Sequence, residues 1–164
     1  MTSGNNIYNN LESCLNLSKL YYQGSTAVKS GVPLITYINE GIKILEGISA
    51  NEKTKAAFAI YPIFQADVDL QDNLRIIKWL DPYILMLVME YRNKANAFLC
   101  TPENDNKHLK DMPSLPLIEV AHMLYADKTQ NQKEFRERKH PLDDRSEELD
   151  RYLNLWMTHL LKNI

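Results

Sequence analysis

Ala56-Ala57-Phe58-Ala59-Ile60-Tyr61-Pro62-Ile63-Phe64-Gln65-Ala66-Asp67 is apolar through most of its length and rich in small residues, which let neighbouring backbones approach closely. The run predicts a central, buried helix from Lys53 to Phe64. Pro62 lies inside it. A proline there removes a backbone donor and strains or ends a helix at a cost of about 3 kcal/mol, so a break is predicted near Tyr61.

On the N-terminal side, Ile7, Leu11, Cys14, Leu15 and Tyr21 recur at helical spacing after an asparagine-rich cap and predict a first helix from Ile7 to Tyr22. A loop of small and polar residues, Gln23 to Pro33, leads to a second helix whose apolar face is Leu34, Ile38, Ile42 and Leu45. Gly47 is suited to end that helix in the left-handed conformation. On the C-terminal side, Leu74, Ile77 and Leu80 suggest a short helix before Asp81-Pro82, an N-cap followed by proline at the first helical position. A long helix then runs from Pro82 to Leu99. Thr101 to Pro116 holds three of the seven prolines and reads as a mobile connection where proteolysis begins. Leu117, Val120, Ala121 and Leu124 open the next helix, and polar Lys139 to Asp143 separate it from the last. Asp144 with Glu147 has the spacing of a capping box, followed by the stripe Leu149, Tyr152, Leu153, Trp156 and Leu160. No segment alternates with period two and no repeat or glycine-rich phosphate loop is visible. The predicted class is all-α: one compact helical domain of about six to eight helices.

At 164 residues the chain fits a single domain burying about 70% of its unfolded surface. Nineteen basic and 21 acidic side chains give a net charge of -2, which favours neither nucleic acid nor an anionic membrane. Cys14 and Cys100 are too few and too far apart for a disulfide framework or a metal knuckle and read as reduced thiols, so the cytoplasm is the expected compartment. Met1 to Asn6 lacks the pattern of a secretory signal. The longest apolar run, Ile84 to Met89, is six residues, against the roughly 20 that a bilayer span needs.

Leu124-Tyr125-Ala126-Asp127-Lys128-Thr129-Gln130-Asn131 resembles the "lADrlhN" helix of the RelA/SpoT-type guanosine polyphosphate hydrolases, members of the HD superfamily. In that family the aspartate closes a metal site and the asparagine faces the nucleotide. The resemblance extends over most of the chain. Tyr22-Gln23-Gly24-Ser25 and Ser30-Gly31-Val32-Pro33-Leu34-Ile35 resemble the two halves of a loop after the opening helix, which puts the first ligand histidine near Tyr37. Ala56 to Asp67 follows the rhythm of the stretch that carries the HD pair, here Tyr61-Pro62, and the catalytic acidic pair, here Gln65-Ala66. Glu90-Tyr91-Arg92-Asn93-Lys94 and Arg145 to Tyr152 resemble the helix before the aspartate and the last helix of compact members. The resemblance implies an HD-type helical domain with its imidazoles replaced.

Such a site holds a transition metal with two or more imidazoles and two carboxylates. Here only Asp127 matches. Without a metal nothing lowers the pKa of an attacking water towards 7, so family-type hydrolysis is not expected. Neither a metal nor a cofactor is expected, and the resemblance implies a pseudoenzyme that binds a nucleotide or a regulatory or host protein partner. The former pocket would consist of Lys29, Tyr37, Tyr61, Phe64, Gln65, Asp127, Lys128 and Asn131. In one reading Tyr37, Tyr61 and Phe64 plug the vacated space and Asp127 accepts hydrogen bonds from hydroxyls. In the other the rings stack on a base or sugar while Lys29, Lys128 and Asn131 meet phosphate or base edges. An Asp127 buried without a cation would have a raised pKa.

Two alternatives compete. A metal-dependent phosphohydrolase with rearranged ligands would use Asp127, Asp67, Asp69 and a distant histidine. An interaction module without ligand would need an exposed apolar patch, to which Trp79 or Trp156 would contribute. Of the four histidines, His108, His122, His140 and His159, none falls at a family ligand position. Glu119 and His122 share a helix face but lack the second copy a di-iron bundle requires. Ser114, His122 and Asp127 lack a nucleophile elbow. Arg136 to His140 is basic but interleaved with acids and reads as a solvated turn.

Overall fold

Thr54, Ala56, Ala57, Phe58, Ala59 and Ile60 are all buried in the computed structural model, which describes residues 7–26, 32–138 and 145–164. A helix buried on every side must be surrounded, and α3 (Glu52–Ile60) is so from Ala56 onwards. It packs against α1 (Leu11–Tyr21), α2 (Leu34–Gly47), α6 (Pro82–Ala97) and α7 (Ile118–Arg138). Short α4 (Pro62–Gln65) and α5 (Asp67–Ile77) pack on each other, and α8 (Ser146–Leu160) lies along α7. The class is all-α. Isolated bridges pair Tyr8 with Leu80 and Thr26 with Pro33, and no strand occurs among the described residues. No helix among them is long and apolar enough to cross a membrane.

The break at Tyr61 falls where the sequence predicts it. The Tyr61 N–H still bonds to Ala57 at 2.9 Å, but Pro62 has no N–H to offer Phe58, and α4 starts there. The Ile63 carbonyl is taken by the buried Asn73 side chain at 3.2 Å, which also explains a polar residue inside α5. Ser18 is buried for a similar reason, since its hydroxyl donates to the Ala59 carbonyl. Asp81 caps α6 by accepting from the Tyr83 and Ile84 N–H groups at 2.9 and 3.1 Å, and Lys53 ties it to α3 at 2.8 Å.

Other expectations need correction. The first helix begins at Leu11 rather than Ile7, because Asn10 and Ser13 form a reciprocal cap, and Tyr8 instead bridges to the stretch before α6. Gly47 ends α2 without a positive φ; Ser49, at φ 57°, takes the left-handed turn. The long helix stops at Ala97, with Phe98 already extended at φ -142°. Asp144 lies outside the described residues, as do Lys139 to Asp143; Arg145 is the N-cap of α8 and makes no side-chain capping bond. The 101–116 connection is strapped down rather than loose. Arg145 grips Asp105 with two bonds of 2.7 and 3.1 Å, and the Arg151 guanidinium donates to the Asp105 and Lys107 carbonyls. His159 Nε2 holds the Pro113 carbonyl at 2.8 Å.

Burial also settles the cysteine at the centre. Cys14 is fully buried, and desolvation pushes its thiol up to about 12, so it is not a thiolate at neutral pH.

Gly41 on α2 leaves room for the Phe58 ring of α3. A Cβ built there would overlap the Phe58 ring, whose own position is fixed by full burial. Gly41→Ala is therefore expected to destabilise by about 2 kcal/mol despite alanine's better helix propensity. Adding Phe58→Leu should recover part of that loss, as read by urea denaturation of both variants.

Candidate functional site

Asp127, Gln130, Asn131 and Glu134 stand at i, i+3, i+4 and i+7 on α7 and therefore share one face. That face forms a wall of a cleft of about 300 Å³. α2 supplies Leu34, Tyr37 and Ile38, the α3–α4 junction supplies Tyr61 and Pro62, and Tyr22 closes the end beyond α1. Four of the sequence-predicted residues thus meet in one place: Tyr37, Tyr61, Asp127 and Asn131.

The others do not line it. Phe64 is fully buried in the core. Gln65 borders a separate depression with Asp67, Asp69, Arg92 and Asn96, and its carbonyl accepts from Asn96 at 3.2 Å. Lys29 lies outside the described residues. Lys128, at i+1 from Asp127, falls on a different face of α7 and points into the bundle; it is 5% exposed. Its ammonium is 2.9 Å from Asp127 Oδ2 and sits 5.4 and 5.5 Å from the ring centroids of Tyr152 and Trp156 on α8. The expectation that Lys128 meets a ligand phosphate is corrected by this burial.

Asp127 is 9% exposed and fully engaged. Oδ1 accepts from the Tyr61 hydroxyl at 3.1 Å and from Asn131 Nδ2 at 3.2 Å, while Oδ2 holds the ammonium. The carboxylate is therefore not buried without a cation: Lys128 supplies one. Burial alone would push the Lys128 ammonium down, but the adjacent carboxylate more than offsets this and raises its pKa. Tyr61 and Tyr91 pack with ring centroids 4.4 Å apart. Burial first, and the Asp127 charge second, drive both phenols well above their usual value, so both are neutral. Among the described residues the Tyr91 hydroxyl and Trp156 Nε1 are buried without a hydrogen-bond partner.

The tyrosine hydroxyls do not converge on Asp127 as one plug. Tyr61 donates to it, but Tyr37 donates to Glu134 at 2.7 Å. Gln130 Nε2 reaches Glu40 on α2 at 3.4 Å, so the two polar walls are cross-linked.

A divalent metal does not fit these donors. Oδ2 of Asp127 already faces an ammonium, and a second cation there would meet like-charge repulsion. Among the described residues no three His, Cys, Asp or Glu side chains are grouped closely enough to hold an ion. Asp67 is paired with Arg92, and Asp69 accepts from Tyr21 at 3.1 Å, so the rearranged ligand set is dispersed. Glu119 accepts from Tyr83 at 2.9 Å, and burial lowers the pKa of His122.

Sequence reasoning missed Tyr22, Gln130 and Glu134. Gln130 and Glu134 were available from helical spacing to Asp127, whereas nothing local points to Tyr22. No family model matches the chain, and neither a curated protein nor a solved structure matches it.

Proposed function

We propose that the protein is a non-hydrolytic binding protein of HD-hydrolase-like architecture that seats a ligand of nucleotide or nucleoside type in the cleft between α2, α7 and Tyr61, in a regulatory role. One observation supports the reading: both oxygens of Asp127, the one carboxylate kept at the implied ligand positions, are already engaged, Oδ2 by the Lys128 ammonium and Oδ1 by Tyr61 and Asn131, which leaves that carboxylate no free oxygen to hold a metal and its activated water. The three tyrosines that line the cleft, Tyr22, Tyr37 and Tyr61, support binding of a flat ring, and a volume of about 300 Å³ suits a ligand of that size.

A melting shift on a nucleoside and nucleotide panel tests this. A ligand at 100 times its Kd adds about 2.7 kcal/mol of stability, and no phosphate release is expected with Mn²⁺ present. Turnover of any nucleotide by the purified chain, abolished in Asp127→Asn, would overturn it.

A protein partner remains the second reading, favoured by exposed Tyr83, Met86 and Ile118 at adjoining ends of α6 and α7. Trp156 contributes nothing to such a surface, being fully buried, while Trp79 is partly exposed. Flat melting curves across the panel would favour this second reading.

A further inference from the structure

α5 is thinly covered: of its 11 residues only Asn73 is buried, and its main neighbour is the short α4. Val68, Asp72 and Arg75 stand at i, i+4 and i+7, and Trp79, in the turn that ends the helix, continues the series at i+11. All four are exposed, Val68 at 68% and Trp79 at 39%, and they form one stripe turned away from Asn73. The Lys78 ammonium lies over the Trp79 ring at 5.0 Å, so the indole is braced on one face while part of it stays open to solvent.

We propose that this stripe joins two copies of the chain, antiparallel, across a two-fold axis that passes between Asp72 and Arg75. The stripe runs apolar, acid, base, apolar, and its spacing of four, three and four residues reads the same from either end. Laid antiparallel on a second copy, it sets Asp72 against the other Arg75 and Val68 against the other Trp79, each pairing made twice. A parallel copy would set acid against acid and base against base. Acids early and bases late also suit a helix dipole, but the dipole asks for neither an exposed valine nor an exposed tryptophan at the ends of the same stripe. A surface that is its own complement in charge and in apolar ends fits a second copy of itself. None of the four residues lines the cleft, so the inference stands apart from the ligand reading. One short helix from each copy buries less than the roughly 1,200 Å² of a standard interface, so the association is reversible, with a Kd between about 10 µM and 1 mM.

Sedimentation velocity of the intact chain over the same concentrations tests this, and a rise from monomer towards dimer is expected. Arg75→Asp sets two acids against each other across the axis, and Asp72→Arg sets two bases; either variant alone is expected to raise Kd about tenfold or more. Mixed in equal amounts, the two variants should associate again with a Kd within about threefold of the parent, because only the mixed pair restores opposite charges at both contacts. Val68→Ser leaves every charge in place and should weaken the dimer about threefold or more, which keeps the test open if a charge reversal unfolds α5. A chain that stays monomeric throughout, a dimer indifferent to these substitutions, or a mixture no more associated than its components would overturn the proposal.

Discussion

Lys128→Ala is expected to remove about 3–5 kcal/mol of folding stability, because it leaves the Asp127 carboxylate buried without its cation. The pair is enclosed, with side-chain exposures of 7% for Lys128 and 13% for Asp127, so solvent cannot substitute for the ammonium. For a domain of this size each kcal/mol moves Tm by about 2–4 °C, so the variant should melt roughly 6–20 °C below the parent. Asp127→Asn is the complementary loss, but the stranded ammonium keeps the faces of Tyr152 and Trp156 and its cost should be smaller. Combining Asp127→Asn with Lys128→Met removes both charges and keeps an amide able to accept from Tyr61. The double variant should recover at least half of the Lys128→Ala loss, since a buried pair is expensive to break and cheap to replace whole. A Lys128→Ala variant within about 1 kcal/mol of the parent would mean that the ammonium does not hold the carboxylate in place. The reading of the site would fall with it, because the pairing of Asp127 with that ammonium is what withdraws its carboxylate from a metal.

Features set by local covalent chemistry were legible in the sequence. Pro62 has no N–H whatever surrounds it, and the helix breaks at Tyr61; Asp81-Pro82 caps and starts α6 for equally local reasons. The burial of α3 on every side from Ala56 onwards was visible in its unbroken run of apolar and small residues. Gly47 shows the limit of such reasoning, since a residue able to turn left-handed did not need to when Ser49 two positions later did so. Long-range partners were not legible. Lys128 reads as a surface cation until Tyr152 and Trp156 arrive from α8, more than twenty residues on. The 101–116 connection reads as loose until Arg145 and Arg151 return to bind it. The cleft fell between these cases. The α7 face through Asp127, Gln130, Asn131 and Glu134 follows from helical spacing alone, but which α2 side chains it would meet depended on how the helices pack.

Raising the pH should unfold the protein with unusual steepness. Tyr91 and Lys128 are buried and Tyr61 is half-buried, and each has a folded-state pKa above its ordinary value. The unfolded chain releases these protons near pH 10 for the phenols and about 10.4 for the ammonium. The folded state keeps them, so above those values it binds more protons than the unfolded state and stability falls as pH rises. Each such group contributes about 1.4 kcal/mol per pH unit, so the three together approach 4 kcal/mol per unit. A domain with the usual 5–15 kcal/mol of stability is exhausted within about two to four units. Tyr22 pulls in the same direction, its phenol raised chiefly by burial. Urea midpoints measured from about pH 8 to pH 12, with phenolate absorbance followed in parallel, should therefore show a plateau and then a steep fall. Part of the tyrosine absorbance should rise only with unfolding. Tyr91→Phe removes one of the three protons and an orphaned hydroxyl at once. It is expected to be as stable as the parent or more so at neutral pH, and to lower the alkaline slope by about a third. Tyrosines that all titrate near pH 10 while helicity stays intact would show instead that solvent reaches the space around Asp127.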